Sequence, residues 1–322
     1  MILVLYLLLK DNYNEIISNI LSCNKLYLLI AIALVLIHYL FKTLSIYLIT
    51  KEYKRDFKFK EMFKEVLITQ FFNGVTPFST GGQPYQIYML RKNGIKISNA
   101  SAITIQDFIM FQLALIVIGF LAIISNKIFN LIEMNSAIYL LILLGFIINI
   151  LVGLVLVFIS FSKKFNDGVG KFLIKVLSKT RLIKNKEEIL NKWEVKLEEF
   201  NNSSMLFKEN KLLLFKCFLA NFFGLFIYYI IPFVIFKSQD ASLDLNFASS
   251  VIASASILII GNFVPIPGAS GGIEYSFMII FGKLVEGSII NSTLIVWRSV
   301  TYYLGIIVGG ILLSFSKGEN KK

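Results

Sequence analysis

The 322-residue chain is 56% hydrophobic and 16% charged, with a mean hydropathy of +0.73, well beyond what one soluble core requires. Its formal net charge of +12 gathers in a few segments between apolar runs, a pattern that argues against nucleic acid and for the cytoplasmic loops of a membrane protein. Two distant cysteines, Cys23 and Cys217, and a single histidine leave no material for a disulfide framework, a His-based metal centre or a catalytic triad, so no cofactor is expected.

The first apolar segment, Ile2 to Leu9, is too short to span a bilayer, which takes roughly 20 residues. It lacks the basic start and small-residue cleavage site of a signal peptide, and reads as the end of a first helix or a misplaced start. Five later stretches are long enough to cross: Leu26–Ile49, Ser101–Ser125, Ser136–Ser160, Leu212–Phe236 and Thr293–Phe315. Between them, Met62–Arg91 and Phe247–Lys283 each hold an apolar leg, a Pro/Gly break and a second leg, the pattern of a hairpin that enters and leaves on one side.

The two breaks share a frame. Pro77-Phe78-Ser79-Thr80-Gly81-Gly82-Gln83-Pro84-Tyr85 and Pro267-Gly268-Ala269-Ser270-Gly271-Gly272-Ile273-Glu274-Tyr275 both read Pro, two residues, Ser or Thr, Gly, Gly, two residues, Tyr. Unwound backbone inside a bilayer is tolerated only where protein or a cavity surrounds it, and a duplicated broken helix points to the binding site of a carrier.

Lys and Arg set the expected orientation. Lys51–Glu65 carries six, Arg91–Lys96 three, Lys163–Lys211 twelve and Lys317–Lys322 three, which makes these the cytoplasmic pieces. Lys10–Lys25, Asn126–Asn135 and Lys237–Asn246 carry two, one and one, as external loops should. This path makes the first hairpin dip from the cytoplasm and the second from outside. The prediction is an all-α, polytopic integral membrane protein, a single transmembrane domain built as an inverted repeat with two re-entrant broken-helix hairpins.

In the segment 163–211, Phe172, Leu173, Val176 and Leu177, then Ile189, Trp193, Leu197 and Phe200, fall at helical spacing among Lys and Glu. Such amphipathic helices lie on the headgroup layer, and the segment is too small for a catalytic domain.

Glu274 is the sole charge between Phe247 and Gly282, and a carboxylate at such depth costs about 2.5–3.5 kcal/mol on insertion scales. It needs a partner, and Arg298, set among Val296, Trp297 and Val300, is the candidate. Three readings stand open: a pair that locks two elements, a pair that meets a lipid head group or a coupling proton, and an interfacial position. In the first hairpin Pro84 occupies the position of Glu274, and Gln83 and Gln86 offer neutral hydrogen bonds. Gln106 and Asp107 near the start of the next span, and Arg91 and Lys92 just past the hairpin, are further candidates; Arg91 and Lys92 read as positive-inside anchors or as phosphate contacts.

Backbone N–H groups at Thr80, Gly81 and Gly82, and at Ser270, Gly271 and Gly272, each open a half-helix and would face an anion with a positive dipole end. His38 reads as a satisfied interior histidine, with a proton relay as the alternative. Gly305, Gly309 and Gly310 suit close helix packing. No P-loop or hydrolytic constellation is present in the sequence, so ATP is not the expected driver.

Two motifs carry a family resemblance. Phe72-Asn73-Gly74-Val75-Thr76-Pro77-Phe78-Ser79-Thr80-Gly81-Gly82-Gln83-Pro84 with Ile87-Tyr88-Met89-Leu90-Arg91-Lys92-Asn93-Gly94, and Asn262-Phe263-Val264-Pro265-Ile266-Pro267-Gly268-Ala269-Ser270-Gly271-Gly272-Ile273-Glu274, resemble the signatures of the flippase-like membrane domain of lysylphosphatidylglycerol synthases and its stand-alone bacterial relatives. Many relatives have Gly-Glu where Gly82-Gln83 stands here, whereas Glu274 fits.

The resemblance implies a membrane part that flips a lipid whose lysine a separate cytosolic domain attaches from charged tRNA. This chain leaves no room for that domain after its last span. The expected function is therefore movement of a phospholipid or lipid-linked head group between leaflets of the bacterial cell membrane. Expected partners are anionic or aminoacylated phospholipids, with a separate transferase or a second copy of the chain as further possibilities. Membership of a phosphatidylglycerol lysyltransferase assembly and a small-solute permease are the alternatives.

Overall fold

The computed structural model describes residues 13–168, 186–262 and 264–318; Ile2–Leu9 and the set Phe172–Leu177 lie outside the described residues. In chain order the helices are α1 (Tyr13–Leu21), α2 (Lys25–Tyr53), α3 (Phe59–Val75), α4 (Gly82–Lys92), α5 (Ile97–Phe129), α6 (Ser136–Phe161), α7 (Lys186–Glu209), α8 (Lys211–Gln239), α9 (Phe247–Gly261), α10 (Gly272–Phe281), α11 (Ile289–Arg298) and α12 (Leu304–Gly318). No strand occurs among the described residues, and α2, α5, α6, α8 and the compound span Ile289–Ser316 are long and apolar enough to cross a membrane. The chain is an all-α, polytopic membrane protein. The five expected crossings are all present, each running a few residues past its apolar core.

Asparagines open four of these helices. The side-chain oxygens of Asn24, Asn135, Asn210 and Asn246 accept from the N–H groups of Leu26, Ile138, Leu213 and Ser249, satisfying donors that the first helical turn leaves free.

Helices α2 and α8 pack antiparallel along their whole length. The N–H of Asn24 donates to Ser238 O at 2.7 Å, His38 Nδ1 lies 2.8 Å from Gly224 O, and Asn221 Nδ2 donates to Ser45 Oγ at 2.7 Å. Around this pair the connections sort to two ends. At one end Tyr53 Oη donates to Ser203 O, Lys54 Nζ to Asn93 O and Ser98 Oγ to Glu199. At the other end Ser249 Oγ donates to Leu131 O, Asn19 Nδ2 to Ser288 Oγ, and Gln239 Nε2 to Thr293 Oγ1.

The first end gathers the Lys/Arg-rich connections and both feet of α3–α4; the second gathers the sparsely basic connections and both feet of α9–α10. Each broken hairpin therefore starts and finishes at one end of the bundle, and the two use opposite ends.

Helix α3 lies against α12. A Cβ on Gly309 would sit 2.6 Å from Leu67 O, so this glycine allows the approach, and one on Gly305 would sit 2.9 Å from the hydroxyl of Tyr39 in α2. On the far side, Phe277 stacks on Trp297 at 5.1 Å and on Phe236 at 6.1 Å, pinning α10 to α11 and to α8.

The described part of the segment expected to be amphipathic is α7, which packs on the bundle. Helix α7 turns Leu197, Ser203, Ser204 and Phe207 into the bundle, bonding through Ser203 Oγ to Asn99 at 2.8 Å and through Glu199 to Ser98 and Lys96. Packing against α5 buries Leu197, while Trp193 and Phe200 stay half-buried and Val195 and Met205 exposed.

Candidate functional site at the junction of the hairpin tips

Both breaks are built the same way. An extended residue, Thr76 (φ −114°, ψ 147°) or Ile266 (φ −118°, ψ 143°), precedes a proline that opens a single 3-10 turn, Pro77–Ser79 or Pro267–Ala269. The middle residue of each turn is left-handed, Phe78 at φ 53°, ψ 14° and Gly268 at φ 63°, ψ 17°. Ser79 (φ 53°) and Ala269 (φ 52°) follow suit. Non-glycine residues held there cost about 1–3 kcal/mol each, which surrounding structure must offset. The two segments thus share a backbone path as far as Ser79 and Ala269 and then diverge, Gly81 being right-handed helical at φ −70° and Gly271 lying at φ 90°.

The two turns lie against each other where the hairpins meet. Arg298, the last residue of α11, ties the junction together. Its Nε lies 2.9 Å from Glu274 Oε1, an ion pair rather than an aligned hydrogen bond, with both side chains 7% exposed. Its Nη2 donates to Gly268 O at 2.8 Å, and the guanidinium sits 4.3 Å over the Tyr302 ring.

Tyr302 carries the link across. Its hydroxyl donates to Gly74 O in the first hairpin at 2.8 Å, while its ring fills the space where a side chain on Gly268 would go. The backbone between Arg298 and α12 is a π turn, Ser299–Tyr303, an irregularity frequent at functional sites.

Five of the six N–H groups expected to face an anion, all but that of Gly272, have partners within the protein. Thr80 donates to Pro77 O, Gly81 to Thr76 Oγ1 at 2.8 Å and Gly82 to Asn73 Oδ1 at 2.9 Å. In the second break Ser270 donates to Pro267 O, and Gly271, at φ 90°, to Glu274 Oε2 at 2.6 Å. An anion would have to displace these partners. Glu274 reaches back to the start of its own helix as well as to Arg298, which fixes the carboxylate from two sides.

The surface of the junction is open. Phe78, Ile266 and Tyr275 are 52%, 47% and 60% exposed, Thr80 and Ser79 are exposed between them, and Glu274 and Arg298 lie beneath. Thus Thr80, Gly81, Gly82, Ser270, Gly271, Gly272, Glu274 and Arg298 are brought to one locus. Gln83 follows at the start of α4, its Oε1 buried without a hydrogen-bond partner.

Two candidates lie elsewhere. Arg91 is exposed with Lys92 in the last turn of α4, at the basic end of the bundle. Asp107 sits between α2, α5 and α8, its Oδ1 accepting from Ser45 Oγ at 2.5 Å.

Sequence reasoning missed Tyr302, although it follows Arg298 by four residues, the spacing that stacks side chains on one helix face. It also missed Glu65, a 9% exposed carboxylate in α3 that accepts from Tyr85 Oη at 2.8 Å. Glu65 closes a run of six basic residues, which disguised it as part of a solvated loop. The first hairpin therefore does hold a buried carboxylate, on its other leg.

Comparison with known proteins places these features in a family. The transmembrane region of lysylphosphatidylglycerol synthase matches residues 1–309. A UPF0104 membrane protein of Archaeoglobus fulgidus is 23% identical over 322 aligned positions, covering 94% of this chain and 90% of that protein. The uncharacterized MG306 homolog of Mycoplasma pneumoniae is 26% identical over 262 positions, covering 75% of this chain and 65% of that longer protein. With the family matching nearly from end to end, the chain belongs to the lysylphosphatidylglycerol synthase transmembrane-region family.

Proposed function

We propose that this protein moves a phospholipid, or a lipid-linked head group, between the leaflets of the cell membrane, with the basic end of the bundle in the cytoplasm. The observation that carries the reading is the junction itself: two half-depth hairpins from opposite ends meet tip to tip over the buried Glu274–Arg298 pair, with an open flank lined by Thr80 and Ser79. A head group slipping in from that flank would find the guanidinium and the carboxylate, and would reach the helix-start N–H groups of Gly81, Gly82 and Gly271 only by displacing their present partners, while its tails stay in lipid.

Alternate separation of one hairpin, then the other, would open the locus to each side in turn. Arg91 and Lys92 would attract anionic head groups at the cytoplasmic mouth.

The test is transfer of a fluorescent phosphatidylglycerol in vesicles reconstituted with the purified full chain, read by quenching of the outer leaflet. Wild type is expected to expose the inner-leaflet label, and Glu274→Gln or Arg298→Ala to stop this while the protein elutes as a folded species. Unchanged transfer in both variants removes the pair from the site. A second reading, the membrane component of a phosphatidylglycerol lysyltransferase, draws on the family's description alone. Lysyl-lipid formation by the chain, or co-purification with a tRNA-dependent transferase, would favour it.

A further inference from the structure

A cleft of about 900 Å³ opens at the sparsely basic end of the bundle, apart from the hairpin turns. One wall is the connection from α5 to α6, and Lys283, two residues past the end of α10, stands opposite. Its volume is that of a small-molecule site.

The first wall is held in one shape by its own asparagines. Asn130 ends α5 in the left-handed region (φ 46°, ψ 43°), its N–H donating to Asn126 O at 2.9 Å. Asn126 Oδ1 accepts from the N–H of Ile132 at 2.8 Å while its Nδ2 donates to Ile132 O at 3.1 Å, and Asn135 then caps α6. Ser249 Oγ, at the start of α9, donates to Leu131 O and ties the wall to the second hairpin. A wall already set in this way leaves a ligand little ordering cost.

Of the lysines at this end, Lys237 is spent on Ala241 O and Leu243 O, whereas Lys127 and Lys283 both line the cleft. Among the described residues neither ammonium has a hydrogen-bond or ion-pair partner. Two like charges facing one concave surface focus a positive potential there. Glu133 lines the same cleft, which leaves one positive charge in surplus and one carboxylate to accept from a donor.

Apolar surface begins at the rim. Ile128 and Phe129, the last residues of α5, are exposed, and Tyr139, Leu140 and Leu144 continue an exposed apolar face along the first turns of α6. Tyr139 itself lines the cleft, an amphipathic ring placed where such rings favour the membrane interface. A charged cleft adjoining a lipid-facing apolar face matches an amphiphile better than a free anion.

We propose that this cleft binds an anionic glycerophospholipid. The phosphate lies between Lys127 and Lys283, a head-group hydroxyl donates to Glu133, and the acyl chains run along the exposed faces of α5 and α6. Because Lys283 belongs to the foot of the second hairpin and Lys127 to the crossing beside it, the lipid bridges the two. In the orientation proposed above it comes from the outer leaflet. The site stands apart from the hairpin junction, and its occupancy is measured without any transfer between leaflets.

The test uses the full chain in phosphatidylcholine nanodiscs doped with phosphatidylglycerol that carries a photoreactive diazirine on one acyl chain. The yield of lipid adduct on the peptide spanning 126–147 is followed against the mole fraction of the probe. Wild type is expected to saturate, and unlabelled phosphatidylglycerol to compete. Lys127→Gln and Lys283→Gln should each weaken the apparent affinity about fivefold, and both together about 25-fold. The double change to arginine should keep it, and Lys25→Gln, at the same end but outside the cleft, should leave it unaltered. A double glutamine variant that saturates like wild type overturns the site. Equal weakening by Lys25→Gln overturns it too, since surface charge alone would then attract the probe. Competition by water-soluble glycerol phosphate as strong as that by the lipid would make the cleft a site for free anions and overturn the lipid assignment. None of these results depends on whether leaflet transfer occurs, so the transport reading stands or falls separately.

Discussion

Removal of Arg298 is the perturbation whose cost follows most directly from the geometry. In Arg298→Ala the Glu274 carboxylate, 7% exposed, keeps its bond from Gly271 N–H and loses its counter-charge; Gly268 O loses its donor and Tyr302 its cation. Breaking a buried pair by deleting one partner costs about 3–5 kcal/mol, and lipid around the bundle offers no screening that would lower it. Glu274→Gln keeps an acceptor for Gly271 and should cost less, about 1.5–3 kcal/mol.

The double variant Glu274→Gln/Arg298→Met removes both charges and should fall short of the summed single costs by about 2 kcal/mol. Equilibrium unfolding in mixed micelles, with helicity as the readout, measures all three. A cost for Arg298→Ala below about 1 kcal/mol, or single costs that simply add, would show that the two charges do not depend on each other as the structure requires.

Gly268→Ala should cost at least about 1–3 kcal/mol in the unfolding assay, because a Cβ is strained on this left-handed backbone and the new methyl also meets the Tyr302 ring. Gly309→Val should push α3 from α12, lowering thermal stability far more than Gly310→Val, whose nearest neighbour is the edge of the Phe71 ring. At α7, the Ser98 hydrogen bond and then Lys96 hold the Glu199 carboxyl below the usual carboxylate range. Its contribution to docking is present above the ordinary carboxylate pKa and lost as pH falls through its own lower value. A nitroxide at Val195 should therefore gain mobility in strongly acidic buffer, and this acid response should be absent in Glu199→Gln.

The parts of the fold legible in the sequence are those that a bilayer forces into composition. Five crossings needed long apolar runs, and the two breaks needed Pro and Gly where the chain turns left-handed, so both left marks. The Glu274–Arg298 pair was legible because so few charges lie within the apolar spans that each has few possible partners. Pairings between neutral polar groups were not.

Asn73 and Thr76 capping Gly82 and Gly81, or Ser45 and Asn221 surrounding Asp107, join ordinary residues across helices with no shared spacing. The same capping explains why donors that read as open anion sites are occupied: a helix start buried in protein must satisfy its own N–H groups.

The most direct measurement joins the two tips covalently. Cysteines at Phe78 and Ala269, in a chain whose Cys23 and Cys217 are replaced by serine, should be bridged by a short bis-thiol-reactive linker in native membranes, because the two turns lie against each other. The account predicts that the bridge forms and halts leaflet transfer, and that a reducible linker restores transfer once cleaved. Failure to bridge, or undiminished transfer by the bridged protein, would contradict it.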